Sequence, residues 1–260
     1  LGGGTFVHGL VARGLVTHIE TLIDVTGLPL NYFKKEGAIW KIGATTRYVE
    51  LEEQSEINSD PYFGGVLDAL KYPPAQVRHA ATIGGNLAAS CPFFDMPVVM
   101  LTMGASVVAD SSNGSRQIPI SDLYLSLFQT NLAQGEFISE VQIPASNGKI
   151  ATAYEKLETN ANDLALISAG VCIEIDGSKC KNVSIYIGGG IGEVPYHCHS
   201  AENLMVGKSI DESLILAVAQ QAMDEVDPIS DHRASAEYRK AMTRILVRNT
   251  LTKALSRISK

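Results

Sequence analysis

Cysteine is scarce in this chain: four residues, at positions 91, 172, 180 and 198. No two of them form a C-x-x-C pair, so the thiol spacing of a zinc or iron–sulfur site is missing. Four thiols in 260 residues do not build a disulfide framework either, and reduced thiols in a cytoplasmic protein are the simplest reading. Positive charge is also in short supply. A net charge of −7 argues against nucleic acid and anionic membrane surfaces as partners. No apolar run reaches the roughly 18 residues that a spanning helix needs, so no transmembrane segment is expected. No signal peptide is visible. Familiar ligand loops are missing too: no G-x-G-x-x-G after a strand, no G-x-x-x-x-G-K-[ST] and no G-x-S-x-G. There is no initiator methionine, and the chain opens inside what reads as a loop, "LGGGTFVHGL".

What is present is ordinary for a folded protein. The chain is 45% hydrophobic and 19% charged, which excludes disorder, and 260 residues suggest two domains. "AIWKIGA" (38–44) alternates like a strand. "RYVELEEQ" turns helical, and "YFGGVLDALKYPPAQV" reads as a helix stopped by Pro73 and Pro74. "DMPVVMLTMGA" predicts a buried helix with Pro97 in its first turn. Strands follow around Asn113-Gly114, and "EFISEVQIP" closes the first half. The small, polar stretch 145–148 marks the boundary, giving domains of residues 1–146 and 147–260.

The second half begins with three strands, "ATAYEKL", "ALISAGVCIEID" and "CKNVSIYIGG", with a hairpin turn at Asp176-Gly177. It ends with helices. "SAENLMVG" is capped by Ser200 and stopped by Gly207. "DESLILAVAQQAMDEV" follows. The last helix presents Tyr238, Met242, Ile245, Leu246, Leu255 and Ile258 on one face. Strands followed by helices indicate an α+β domain with an antiparallel sheet.

Two glycine loops carry the chemistry. A glycine-rich turn turns backbone N–H groups outward and removes the Cβ atoms that hold an anion away. A following helix adds partial positive charge. In "TIGGNLAAS", Thr82-Ile83 end an extended segment, Gly84-Gly85 make the turn, Asn86 steadies it, and a helical turn begins at Leu87. Gly2, Gly3, Gly4 and Thr5 form the second loop, with a hydroxyl as well. Two such loops suit a diphosphate, although a glycine pair by itself reads equally as a tight turn. A third run, "YIGGGIGEVP", meets a proline instead of a helix and reads as a strand-exit turn.

"ATIGGNLAASCPFFDMP" with the opening "GGGT" resembles the FAD-binding medium subunit of the molybdenum hydroxylases, the family of the carbon monoxide dehydrogenase medium subunit and the xanthine dehydrogenase FAD domain. The likeness continues through "GAIWKIGATTRYVELE", "GEFISEVQIP", "AYEKLETNANDLALISAGV" and "DHRASAEYRKAMTRILVRNTL", nearly the whole chain. Relatives carry a further small unit ahead of the first loop, and the expectation is that it is missing here. The resemblance implies a FAD-binding domain of the PCMH type, then a smaller α+β domain of the carbon monoxide dehydrogenase flavoprotein type. It implies non-covalent FAD, its diphosphate held by Gly2, Gly3, Gly4 and Thr5 and by Thr82, Gly84, Gly85 and Asn86. Asp95 would accept hydrogen bonds from ribityl or ribose hydroxyls, Lys156 would stand near the flavin from the second domain, and Tyr72 beside one of the rings. The resemblance also implies an oxidoreductase subunit that takes electrons from a small iron–sulfur subunit, fed by a large molybdopterin subunit, and hands them to an acceptor such as NAD or a quinone. No residue is expected to act as a catalytic acid or base.

Residue by residue, plainer readings stand beside these. Asp95 reads equally as a first-turn helix residue, Lys156 as a solvated strand lysine, and Tyr72 as a packing residue. His197-Cys198-His199 has no third ligand close by in sequence, so no metal is assigned. Asp224, Asp227 and Asp231 lack the pattern of a calcium loop. Eight Lys and Arg in the last 28 residues form either a solvated helix face or a docking surface for a partner subunit. A stand-alone flavin oxidoreductase on a related fold is the alternative function. A nucleotide-binding subunit that has lost its flavin is a third, opposed by the intact "TIGGN" and Asp95.

Overall fold

The computed structural model describes residues 1–258. Its first half holds helices α1 (Thr5–Ala12), α2 (Tyr48–Glu52), α3 (Ser55–Ser59), α4 (Gly64–Leu70), α5 (Ala75–Ala80), α6 (Ile83–Ala88), α7 (Asp95–Thr102) and α8 (Ile120–Leu123). Its strands are β1 (Phe33–Glu36), β2 (Ile39–Gly43), β3 (Ser106–Ser111), β4 (Gly114–Pro119), the short pair β5 (Tyr124–Ser126) and β6 (Gln129–Thr130), and β7 (Phe137–Pro144). The second half holds β8 (Lys149–Leu157), β9 (Ile167–Asp176), β10 (Lys179–Gly189) and β11 (Tyr196–His197), then α9 (His199–Met205), α10 (Glu212–Glu225) and α11 (Ala236–Ile258).

The two larger antiparallel sheets are ordered β1-β2-β7-β3-β4 and β11-β10-β9-β8, and β5 and β6 pair antiparallel as a separate ribbon. The architecture is the expected α+β arrangement, a helix-rich first domain followed by a sheet covered by helices. Alternation along the second sheet explains how the two halves meet. Tyr154, Cys172 and Tyr186 face the core of the first domain. Ala153, Val171, Ile185 and Ile187 face the opposite way, against α10 and α11. A sheet buried on both faces needs apolar residues at successive positions, which is why "ISAGVCI" lacks a polar face. Helix α7 lies on the inner face, all but Asp95 of its residues buried. It approaches so closely that a Cβ at Gly170 of β9 would sit 2.9 Å from Val98 Cγ1.

Three local expectations are corrected. The helix after the second glycine loop begins at Ile83, so Gly84 and Gly85 lie inside its first turn, not before it; Thr82 is the N-cap and its hydroxyl accepts the Gly85 N–H. Ser200 does not cap α9: the cap position falls on Cys198, and the Glu225 carboxylate accepts the Ser200 and Ala201 N–H groups instead. On α11, Tyr238 is exposed, and the buried stripe contains Arg239, Thr243 and Thr250 beside Leu246, Val247, Leu251 and Ala254. Apolar periodicity misses that stripe because its polar members are satisfied internally. Arg239 donates to Leu166 O and Asp231, and the two threonine hydroxyls donate to backbone carbonyls one turn back. The third glycine run is a strand exit as expected. Gly190 within it makes room for Arg239, whose Nε would lie 2.4 Å from a Cβ there.

Candidate cofactor-binding site

The two glycine loops meet. A Cβ on Gly3 would fall 1.7 Å from Ala80 O, so only glycine permits this approach of one backbone to the other. A Cβ on Gly84 would fall 2.5 Å from Ala44 Cβ, which seats the start of α6 against residue 44. Here glycine serves loop-on-loop packing, a use the sequence reading does not distinguish from room for an anion.

The loops differ in what their N–H groups do. Around the second loop they are committed: Ile83 donates to Thr46 O, Gly84 to Ala44 O, Gly85 to the Thr82 hydroxyl and Asn86 to Thr82 O. This corrects the expectation that the Gly84-Gly85 amides point outward. In the first loop, Gly4 sits at φ 67 as the N-cap of α1. Among the described residues, the N–H groups of Gly2 through Val7 find no protein acceptor. The free donors therefore lie on the first loop and the first turn of α1, where the helix dipole favours an anion. The second loop adds a side chain: Asn86 Oδ1 is buried and unpaired. A buried acceptor left without a donor costs about 1–3 kcal/mol unless a ligand supplies one.

Asp95, Lys156 and Tyr72 form a second cluster where α7 meets β8. Lys156 Nζ lies 3.3 Å from both Asp95 oxygens, 3.3 Å from Glu158 Oε2 and 2.8 Å from Asp163 O. The same ammonium stands 4.6 Å above the Tyr72 ring, and the Tyr72 hydroxyl accepts the Lys156 N–H. Tyr154 Oη donates to Asp95 Oδ1 at 2.7 Å. Lys156 is only 8% exposed, which overturns the solvated-lysine reading. Burial raises the Asp95 carboxyl above its ordinary range, against the pull of Lys156 and Tyr154. Asp95 Oδ1 takes the Tyr154 hydroxyl and Oδ2 only the Lys156 ammonium, so part of a carboxylate's roughly four acceptor positions stays free. Asp95 also opens α7, so its first-turn reading holds alongside.

Phe6 of α1 joins the clusters, packing edge-on against Phe94 at 5.4 Å and against Phe128 at 5.3 Å. Several participants escape the sequence reading. Tyr154 is one: it lies two positions before the expected Lys156 on β8 and shares its face, a period-2 signal present in "AYEK". Asp68 is a lone charge inside "GGVLDAL", 3% exposed. It takes Arg257 on both oxygens at 2.7 and 2.8 Å, Lys253 at 2.9 Å and the Tyr154 N–H at 3.1 Å.

Residues 1–146 match the FAD binding domain in molybdopterin dehydrogenase, and residues 152–254 match the CO dehydrogenase flavoprotein C-terminal domain. The carbon monoxide dehydrogenase medium chain of Afipia carboxidovorans is 31% identical over 263 residues, covering 99% of this chain and 88% of the relative. The glyceraldehyde dehydrogenase medium chain of Sulfolobus acidocaldarius is 29% identical over 94% of this chain and 86% of its own length. The solved carbon monoxide dehydrogenase from Hydrogenophaga pseudoflava that lacks the Mo-pyranopterin moiety superposes with a TM-score of 0.92 at 27% identity, covering 99% of this chain and 89% of that one. Fold and site thus define a FAD-binding oxidoreductase subunit. Within that class the chain belongs to the medium, FAD-binding subunits of the molybdenum hydroxylases. Among the described residues, no helix is long and apolar enough to cross a membrane.

Proposed function

We propose that this chain is the electron-transfer subunit of a molybdopterin, iron–sulfur and flavin complex. It takes electrons from iron–sulfur clusters of a small subunit, supplied by a large molybdopterin subunit, and delivers them to an external acceptor such as NAD or a quinone. The proposal includes a cytoplasmic location and the division at residues 1–146 and 147–260. The observation that carries it is the contact between the first loop's helix and the buried pair: the free N–H donors lie on the loop and first turn that carry Phe6, and Phe6 packs on Phe94, the residue before Asp95 of the Asp95–Lys156 pair.

Bound FAD supplies the redox chemistry, and the chain supplies position and field. The N–H groups of Gly2, Gly3, Gly4 and Thr5 would hold the diphosphate. Thr82, Gly84 and Gly85 would support it through loop geometry, and Asn86 Oδ1 would accept from a ligand hydroxyl. Asp95 would use its remaining acceptor capacity on ligand hydroxyls. The Lys156 ammonium would offset negative charge on the cofactor, and Tyr72 holds that ammonium and the β8 backbone in place.

The test removes FAD from the purified complex. With substrate added, iron–sulfur reduction persists, transfer to NAD or quinone stops, and added FAD restores it. Unchanged acceptor reduction by the flavin-free complex overturns the proposal.

A further inference from the structure

The His197-Cys198-His199 run gains a third ligand in the fold. Edge strand β11 pairs His197 with Tyr186 of β10, and His199 opens α9. Between them Cys198 is fully buried, its N–H bound to Ile185 O, so the sulfur is turned into the core. One helical turn on, Glu202 returns to the same spot. The ligand atoms of His197, His199 and Glu202 all lie within 4.8 Å of one another.

Glu202 Oε1 accepts the Ile185 N–H and meets His197 Nε2, both at 2.7 Å, while Oε2 stands 3.8 Å from His199 Nδ1. A hydrogen-bonded His–Glu pair accounts for His197. It leaves His199 without a reason. Among the described residues the His199 ring makes no hydrogen bond, yet its centroid is held 3.7 Å from that of His197. The other side of His197 stacks on Tyr186 at 4.2 Å and 11°, which fixes its orientation. A shared cation would draw both nitrogens inward.

We propose that His197, His199 and Glu202 bind a divalent cation of the zinc class, with the fourth position open to water. Two imidazoles and one carboxylate are a donor set zinc accepts. Bond lengths of about 2.0–2.1 Å place tetrahedral ligands roughly 3.3 Å apart. Glu202 Oε2, the oxygen free for the ion, stands 3.8 Å from His199 Nδ1, near that value. The outer contacts are also in place: the Ile185 amide engages Oε1 and leaves Oε2 for the ion, and Tyr186 orients His197. The ion would pin the start of α9 to the edge of the second sheet.

The test uses the purified FAD-loaded protein with any co-purifying subunits. It is stripped with a chelator, loaded with zinc chloride and dialysed against metal-free buffer, and retained zinc is measured against FAD. The wild type is expected to keep one equivalent more than His199→Ala or Glu202→Gln. Zinc should raise its unfolding midpoint by several degrees and leave both variants unmoved. His199 is exposed, so unchanged FAD content in His199→Ala verifies the fold. Equal zinc in the wild type and both variants, or none retained by any, overturns the site.

Discussion

Asp68 and Asp95 make an instructive pair. Each lies on a buried helix of the first domain and each meets a cation from the second domain. Burial pushes both carboxyls upward, but the outcomes differ. At Asp68 the hydrogen bonds from Arg257 and Lys253 outweigh burial and hold the carboxyl below its ordinary range. At Asp95 burial prevails over Lys156 and Tyr154, and the carboxyl stays raised. The first carboxylate is saturated and clamps the domains. The second is under-supplied with donors beside a buried ammonium, the condition in which ligand hydroxyls gain most. Tyr154 touches both, giving its N–H to Asp68 and its hydroxyl to Asp95, so the clamp also fixes the site.

The largest expected effect comes from breaking the clamp. Asp68→Asn leaves Arg257 short of its partner at a buried position and should cost about 3–5 kcal/mol, read from denaturant unfolding. Gly3→Ala forces a Cβ into Ala80 O and should cost about 1–3 kcal/mol, with FAD lost as the loops part. Lys156→Met strikes the other node. It removes the ammonium facing Asp95 and should sharply lower FAD content in a chain that stays folded, because the buried Asp95 carboxyl loses the cation that offsets its burial.

The pH dependence separates the nodes by sign. The Asp68 carboxyl is depressed in the folded state, so its stabilisation is present above the ordinary carboxylate range and is lost as pH falls through the lowered value. Asp68→Asn should flatten the acid limb of a stability–pH profile, whereas Asp95→Asn should leave that limb in place. An unchanged limb in Asp68→Asn breaks the distinction. The smallest effect is Tyr72→Phe, which loses the acceptor of the Lys156 N–H but keeps the ring under the ammonium. About 1 kcal/mol of stability and a modest weakening of FAD binding are expected by titration.

Much of this was legible in residues. The hairpin turns at Asn113-Gly114 and Asp176-Gly177, the buried helix from Asp95 and the mixed helix-and-sheet class follow from turn chemistry and periodicity. The two glycine loops also stand out before any fold is known. Hidden were the features made by long-range pairing. Asp68 meets Arg257 across 189 positions, and nothing local announces it. Arg239 sits in a core stripe because the Leu166 carbonyl comes to it from 73 positions away, with Asp231 supplied by the loop just ahead of α11. The division of labour between the loops depends on Ala44 and Thr46 taking up the amides of the second.

The most direct test of the central claim, that the loops and the Asp95–Lys156 pair together hold FAD, is FAD bound per chain. It is measured in Lys156→Met and Asp68→Asn at a temperature where both are folded. Loss of flavin from Lys156→Met, with Asp68→Asn retaining far more, is the predicted result. Full flavin in Lys156→Met would contradict it.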